Sequence, residues 1–178
     1  MAKTDFKKHI RTVPHFPKKG VMFRDITTLL KDANALKEVA DEMAGYYLKK
    51  PYSIDKVVSA ESRGFIFGAI LAKELHAGFV PLRKPGKLPA KTIREEFDTE
   101  YSKDAFEIHE DAIQKGDKCI ICDDLLATGG TSKAAIRLVE KLGGEVKSLF
   151  FLIELEFLNG KEKLKGYDVF SLVKYDKE

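Results

Sequence analysis

The amino-acid sequence predicts an α/β fold: a Rossmann-like, doubly wound central parallel β-sheet flanked by helices. Three observations predict it. Short apolar runs alternate along the chain with segments whose apolar residues recur at helical spacing. These runs are continuous in apolar character, which is typical of parallel strands covered on both faces. The 178 residues suit a single domain (residues 1–178), and no repeat or flexible linker divides them.

The N-terminal part of the sequence predicts one helix after an irregular segment. About the first thirty residues have mixed polarity and carry turn signals at Pro14, Pro17 and Gly20. Asn34 is a candidate N-cap, and Pro51 prevents the helix from continuing past it. The apolar residues in between follow helical spacing: Leu36, Val39, Ala40, Met43 and Tyr47.

Four apolar runs then predict strands: Val57–Ala60, Phe79–Leu82, Cys119–Cys122 and Val146–Ile153. The first and third runs are each followed by a polar turn and a helix with an apolar face. Ligands of open parallel sheets bind at the carboxyl ends of the strands. The two polar turns, Glu61–Gly64 and Asp123–Gly130, are therefore the predicted location of a binding site.

The segment from Arg83 to about Glu110 departs from this alternation. It contains Pro85, Gly86 and Pro89, begins basic, becomes acidic, and shows only weak alternation of apolar and polar residues. A long polar insertion of this kind is typical of a flexible hairpin lid over a site, and a solvated surface hairpin is the alternative. With so little apolar content, we expect few buried contacts along it and mobility when the site is empty.

Composition excludes several classes of protein. The 31 Lys and Arg residues barely outnumber the 28 Asp and Glu residues, which gives little reason to expect nucleic-acid binding. No apolar run reaches the length of a membrane span, and the N-terminal residues do not resemble a secretory signal. Two cysteines cannot form a disulfide framework. We expect a cytoplasmic protein.

The strongest local signal is the segment Cys119–Ser132, CIICDDLLATGGTS. A buried strand brings two adjacent acids, Asp123 and Asp124, to its carboxyl end, and a loop with two glycines and two threonines then opens a helix. Glycines allow close approach of the backbone to an anion, and a helix N-terminus adds partial positive charge. This pattern predicts a phosphate cradle.

Two familiar phosphate-binding loops do not match this segment. No Gly-Lys-Ser/Thr closes it, and the G-x-G-x-x-G pattern of dinucleotide loops is absent. Carboxylates beside a phosphate would repel it unless a sugar lies between the two and donates hydrogen bonds to the carboxylates through its vicinal hydroxyls. A sugar phosphate is the predicted ligand, and an ordinary βα turn is the alternative.

The segment Ile121–Thr131 resembles the phosphoribosyl pyrophosphate-binding motif of the type I phosphoribosyltransferases. Other blocks resemble, in order and without a large gap, the adenine-specific members of that family. These blocks are Phe23–Ile26, Glu61–Phe65, Arg83–Pro89, Glu100-Tyr101, and Ile153–Leu155 through Lys163-Leu164. The resemblance implies a single domain with a small N-terminal hood (about residues 1–35) and a lid (about residues 83–110).

The resemblance also implies a reaction, in which adenine and phosphoribosyl pyrophosphate give AMP and pyrophosphate with Mg2+ bound to the pyrophosphate substrate. It assigns the 5′-phosphate to Ala127, Thr128, Gly129, Gly130 and Thr131. It assigns the ribose hydroxyls or magnesium-bound waters to Asp123 and Asp124, and the pyrophosphate to Arg63, Arg83 and Lys87. An arginine fork matches phosphate oxygens, which agrees with this role.

For the base, the resemblance implies stacking on Phe23, with backbone groups of Met22 and Arg24 at its edge. Glu100 would act as acid/base at the imidazole-ring nitrogen of adenine, and Tyr101 would lie over the reacting sugar. A homodimer is expected from the same resemblance. The sequence pattern alone does not single out Glu100 from the other acids of the lid.

Alternatives remain open at this point. The phosphate loop would equally serve a transferase for hypoxanthine, guanine or xanthine, or a regulator that senses phosphoribosyl pyrophosphate. Cys119 and Cys122 are expected to fill a buried strand, since no second cysteine pair or nearby histidine accompanies them. The four histidines lack metal-ligand spacing, so we expect no metal site formed by the protein alone.

Overall fold

The computed structural model of the chain describes residues 4–98 and 103–178. The strands in these ranges are β1 (Arg11–Pro14), β2 (Met22–Asp25), β3 (Lys56–Ala60), β4 (Gly78–Leu82), β5 (Thr92–Asp98), β6 (Lys103–His109), β7 (Lys118–Leu126), β8 (Glu145–Leu155) and β9 (Asp168–Tyr175). The α-helices are α1 (Thr27–Leu30), α2 (Ala33–Tyr47), α3 (Gly64–Leu75) and α4 (Gly130–Lys141). Short 3-10 turns span Phe6–His9, Glu156–Leu158 and Gly160–Leu164.

The central sheet has five strands in the order β4-β3-β7-β8-β9, and every neighbouring pair is parallel. The predicted parallel α/β fold is confirmed. Its edge strand β9 was not predicted from the sequence. Polar and apolar residues mix along Asp168–Tyr175, and only Val173 is fully buried. It therefore lacks the continuous apolar run that identified the other strands.

Helices cover both faces of the sheet. α2 and α3 pack on one face in an apolar core with Val39, Phe67 and Phe150, and α4 packs on the other face with Leu138 and Phe151. The N-cap of α2 is Asp32, whose side chain accepts hydrogen bonds from the backbone N–H groups of Asn34 and Ala35. The prediction of Asn34 as the N-cap was wrong by two residues.

Two small antiparallel hairpins accompany the sheet. β1 pairs with β2 in the hood segment, and β5 pairs with β6 in the predicted lid. The lid strands bury Phe97, Phe106 and Ile108 in the core on the α4 side. The expectation of few buried contacts along the whole lid was therefore wrong for these two strands. None of the helices in the described ranges is long and apolar enough to span a membrane.

Candidate functional site

A cavity of about 520 Å³ opens where β3 and β7 end. Its walls are the turn after β3, the loop between β7 and α4, and the side chain of Phe106 from the lid hairpin. This is the edge of the sheet at which the sequence predicted a site. Asp123, Asp124, Ala127, Thr128, Gly129, Thr131 and Arg63 line the cavity. Gly130 is the first residue of α4 beside it.

The two acids at the end of β7 lie in an unusual electrostatic environment. Burial and the charge of neighbouring Asp124 raise the pKa of Asp123, whose Oδ1 accepts a 2.8 Å hydrogen bond from the backbone N–H of Asp124. Burial also raises the pKa of Asp124, and the Arg63 guanidinium opposes that rise. A ligand that donates hydroxyl hydrogen bonds, or brings a cation, would stabilise both carboxylates in their ionised form.

Arg63 connects the acids to the hood. Its Nε lies 2.7 Å from Oδ2 of Asp124, and its guanidinium carbon lies 5.3 Å from the centre of the Phe23 ring. The next residue must be small, because a Cβ on Gly64 would lie 2.8 Å from Oδ1 of Asp123. The start of α3 therefore fits directly against the acid pair, which brings two separate blocks of the sequence into one site.

The β7–α4 loop has the geometry of an anion cradle. Gly129 adopts φ +78° immediately before α4, a conformation that favours glycine, and the first N–H groups of the helix have no partner within it. The side chain of Ser132, which is 5% exposed, also lines the cavity. Sequence reasoning did not assign Ser132 to the site, although the residue closes the same motif and carries a hydroxyl.

The structure shows a second reason why position 129 must be glycine. A Cβ there would lie 2.6 Å from the carbonyl oxygen of Gly160. The missing side chain therefore makes room for a neighbouring backbone segment, in addition to allowing the positive φ. The sequence interpretation, which attributed this glycine to close approach of an anion, overlooked that contact.

Arg83 and Lys87 are not among the residues that line the cavity. The Arg83 Nε lies 2.6 Å from Oε2 of Glu61, and the backbone N–H of Lys84 donates a 2.6 Å hydrogen bond to Oε1 of the same carboxylate. Burial alone would raise the pKa of Glu61, but these hydrogen bonds lower it. Glu61 thus joins the turn after β3 to the base of the lid, a role that sequence reasoning missed.

The hood presents Met22, Phe23 and Arg24 on β2. The Phe23 ring makes an edge contact with Phe16 and faces the Arg63 guanidinium. The Arg24 guanidinium lies 4.0 Å from the centre of the Tyr175 ring and donates a hydrogen bond to Thr12 Oγ1. The Arg24 side chain therefore has protein partners on the strands β1 and β9.

The remaining sequence-based expectations concern the two catalytic residues of the lid, the two cysteines and metal binding. Glu100 and Tyr101 lie outside the described residues. Cys119 and Cys122 are free and buried, as predicted, and burial raises the pKa of the Cys119 thiol to about 12. Residues 4–98 and 103–178 contain no cluster of three or more histidine, cysteine or acidic side chains suited to a metal ion.

Comparison with known proteins supplies an independent line of evidence. A family model for the phosphoribosyl transferase domain matches residues 25–174. The chain is 54% identical to an adenine phosphoribosyltransferase of Thermotoga maritima over 98% of this chain and all of the relative. It is 57% identical to that of Acetivibrio thermocellus over 96% of this chain and 99% of the relative.

Solved structures agree with the sequence relatives. The adenine phosphoribosyltransferase of Thermoanaerobacter pseudethanolicus superposes with a TM-score of 0.91 at 52% identity, covering 96% of this chain and 98% of that one. The Saccharomyces cerevisiae enzyme, crystallised with adenine and an imino-altritol bisphosphate, superposes with a TM-score of 0.89 at 38% identity. That match covers 94% of this chain and 96% of the yeast chain.

Proposed function

The chain belongs to the adenine phosphoribosyltransferases, a branch of the phosphoribosyltransferase family, and from that premise we infer how its residues perform the reaction. The reaction is purine salvage: adenine and 5-phosphoribosyl 1-pyrophosphate give AMP and pyrophosphate. The single observation that carries the residue-level account is the placement of an acid pair beside a helix-N-terminal cradle in one cavity. A ribose 5-phosphate needs carboxylates at its hydroxyl groups and an anion cradle at its phosphate.

The 5′-phosphate binds to Ala127–Thr131. Unpaired N–H groups at the start of α4 and the hydroxyls of Thr128 and Thr131 donate to its oxygens, and the helix dipole favours its charge. The buried Ser132 side chain adds a further hydroxyl at the cavity wall. Asp123 and Asp124 accept hydrogen bonds from the ribose hydroxyls, which stabilises the two crowded carboxylates in their charged form.

The pyrophosphate binds to Arg63, with Arg83 and Lys87 from the lid base. Both arginines currently pair with acids, Arg63 with Asp124 and Arg83 with Glu61. Each guanidinium has further N–H groups with which to bind phosphate oxygens bidentately. Retaining one acid partner while binding pyrophosphate would fix the orientation of the fork, which favours in-line departure of the leaving group.

The acid pair of the cavity also suits Mg2+. Magnesium commonly uses one or two carboxylates, several waters and substrate phosphates, and Asp123 and Asp124 are two adjacent carboxylates. They would hold its coordinated waters when the substrate carries the ion. When bound, magnesium would neutralise charge on the pyrophosphate. The protein groups meanwhile orient the ribose and exclude water from the anomeric carbon.

Adenine stacks on Phe23, with backbone groups of Met22 and Arg24 at its edge. The contact between the Phe23 ring and the guanidinium of Arg63, which lines the cavity, supports this role of Phe23. Adenine is present in the yeast relative's structure, and 9-deazaadenine is present in that of the Giardia lamblia relative. Initial rates with adenine, hypoxanthine, guanine and xanthine test the base, and a rate with another base equal to that with adenine would overturn the assignment.

Glu100 exchanges a proton with the imidazole-ring nitrogen of adenine, and Tyr101 covers the sugar as it gains oxocarbenium character. General acid–base help is worth about 10²–10⁴-fold. We therefore expect Glu100→Gln to lower turnover by about that factor while AMP affinity, titrated directly, changes little. The control is Glu96→Gln, which removes an exposed acid of the lid strand β5. A turnover of Glu100→Gln equal to that of Glu96→Gln would remove Glu100 from the mechanism.

The protein acts in the cytoplasm as a homodimer. The edge strand β4 and the adjoining helix α3 meet at an apolar patch where the Phe65 ring contacts the Phe79 ring edge-on, and Phe79 is 37% exposed. A second copy would cover this patch. Sedimentation should give twice the chain mass, and Phe79→Glu should give monomers. Leu48→Glu, at an exposed leucine just after α2, is the matched control.

A further inference from the structure

The turn at Asn159-Gly160 contacts the β7–α4 loop that forms the phosphate cradle, although neither residue is assigned a contact with substrate. It lies after the end of β8, where Asn159 joins the 3-10 turn Glu156–Leu158 to the 3-10 turn that begins at Gly160 (Gly160–Leu164). The sequence block around it, Ile153–Leu164, resembles the adenine-specific enzymes but includes none of the assigned site residues. We call Asn159-Gly160 the backing turn, because it packs against the phosphate loop.

The contact is between two backbones and involves a glycine on each side. A Cβ built on Gly160 would lie far inside 3.0 Å of the carbonyl oxygen of Ala127, and 3.1 Å from the backbone nitrogen of Gly129. A Cβ built on Gly129 would in turn lie 2.6 Å from the carbonyl oxygen of Gly160. Neither side can accept a methyl group unless one backbone moves. The atoms that would have to move on one side belong to the phosphate loop itself.

The segment that follows the backing turn is anchored to the core and to α4. Leu164, 1% exposed, packs in the core on the α4 side, and Tyr167 donates a 2.7 Å hydrogen bond to Glu140 on α4. Within the turn, Asn159 adopts φ 52°, its N–H donates to the carbonyl of Glu156, and its own carbonyl accepts from the N–H of Glu162. An added methyl group would thus press on the phosphate loop rather than simply displace the turn into solvent.

We propose that Gly160 is a positioning residue for the 5′-phosphate cradle, which it sets by direct backbone contact with Ala127 and Gly129. The proposal rests on the proposed binding of the 5′-phosphate at Ala127–Thr131. Phosphate recognition here depends on N–H groups fixed in direction, and a displacement of about 1 Å can cost about 10²-fold in rate. The side-chain-free backbone of Gly160 keeps those N–H groups at their place.

The test compares AMP with adenosine, which differ only by the phosphate. In Gly160→Ala we expect AMP affinity to fall about ten-fold or more, where ten-fold corresponds to about 1.4 kcal/mol. Adenosine affinity should change less than about two-fold, because the base and ribose contacts stay in place. In steady-state kinetics the KM for phosphoribosyl pyrophosphate should rise while the KM for adenine stays near that of the parent.

Two further variants accompany Gly160→Ala. Gly45→Ala makes the same chemical change within α2, where a new Cβ meets no atom within 4 Å. It should leave both affinities unchanged. Thr131→Val removes a hydroxyl donor from the cradle with almost no change of shape, and it tests the phosphate site itself. It should weaken AMP and spare adenosine.

The outcomes distinguish the positioning role of Gly160 from the proposed 5′-phosphate site itself. If Thr131→Val weakens AMP and Gly160→Ala does not, the role of Gly160 is wrong and the phosphate site stands. If neither variant changes AMP affinity, the proposed phosphate site is wrong. If Gly160→Ala weakens AMP and adenosine equally, the backing turn supports the whole cavity and the specific role is overturned.

A different change of the backing turn, Asn159→Val, covers the case in which Gly160→Ala does not fold. Asn159→Val adds no bulk at Gly160 but disfavours the positive φ of the backing turn, because β-branched residues rarely adopt it. It should shift the same backbone contact and weaken AMP selectively over adenosine. Equal affinities of Asn159→Val and the parent for AMP would overturn the proposal.

Discussion

The hood hairpin and the lid hairpin are both two-stranded and antiparallel, yet different interactions fix them. In the hood, β1 and β2 leave all but Asp25 at least partly exposed. In the lid, β5 and β6 bury Phe97, Phe106 and Ile108. An isolated two-stranded hairpin is marginally stable, so each needs support from the rest of the domain. The hood obtains much of it from polar contacts, and the lid strands obtain it from the core.

The polar support of the hood centres on Asp25. Its carboxylate accepts hydrogen bonds from Arg11 on the partner strand and from the backbone N–H of Thr27. The lid strands instead share the apolar cluster of α4, with Glu95 paired to Arg137 and Lys141 at its margin. The hood should therefore respond to pH, and the lid strands to the loss of apolar volume.

The largest expected effect is that of Phe106→Ala in the lid. Phe106 is 2% exposed and contacts the Phe97 ring, with centroids 4.9 Å apart. Removing a buried phenylalanine costs about 3–5 kcal/mol of unfolding free energy. Phe16→Ala, at a hood ring that is 51% exposed, should cost well under half as much. Urea unfolding of both variants measures the difference, and equal losses would refute the contrast between the hairpins.

The packing of the lid explains why its sequence was misjudged. Antiparallel pairing places Ile93, Glu95, Phe97, Asp104, Phe106 and Ile108 on one face of the hairpin. The charges of Glu95 and Asp104 interrupt that face and weaken its apolar pattern. They are tolerated because Arg137, Lys141 and Lys84, far away in sequence, pair with them. Such long-range pairs have no local signal in the sequence.

The candidate site also combines local features, which the sequence predicted, with long-range contacts, which it did not. The acids, the glycines and the start of α4 follow from one continuous segment, so the sequence predicted that they lie together. Two contacts of the site join segments that only the fold brings together. They are the ion pair between Arg83 and Glu61 and the backbone contact between Gly129 and Gly160. Gly160 stands between an asparagine and a lysine, and that local sequence gives no sign that a backbone packs against it.

The second expected effect is a pH dependence of the hood. Hydrogen bonds from Arg11 and the Thr27 N–H lower the pKa of Asp25 from 3.8 to about 2. Because the folded-state pKa lies below the unfolded one, this stabilisation is fully present above about pH 4 and is lost as the pH falls through about 2. It amounts to about 2 kcal/mol at neutral pH.

Asp25→Asn tests this stabilisation of the hood. At pH 7 the variant should have the lower unfolding free energy, and its deficit should shrink as the pH is lowered from about 4 towards 2. Asp41→Asn, which removes an acid exposed on α2 and paired with Lys37, should change the unfolding free energy by under about 0.5 kcal/mol. A deficit of Asp25→Asn that stays constant between pH 7 and pH 2.5 would contradict the account.

The smallest expected effect is that of Glu95→Gln, where the lid meets α4. Hydrogen bonds from Lys141 and Arg137 lower the pKa of Glu95, but both cations are more than one third exposed, so solvent screens much of their attraction. We expect Glu95→Gln to cost about 0.5–1 kcal/mol in low salt and less in 1 M salt, where the Debye length is about 3 Å. The cost of Phe106→Ala should not fall with salt in this way, because apolar packing is not screened. If 1 M salt left the cost of Glu95→Gln unchanged, the ion pairs would not be what holds this margin of the lid, and packing of the Glu95 stem would have to account for it.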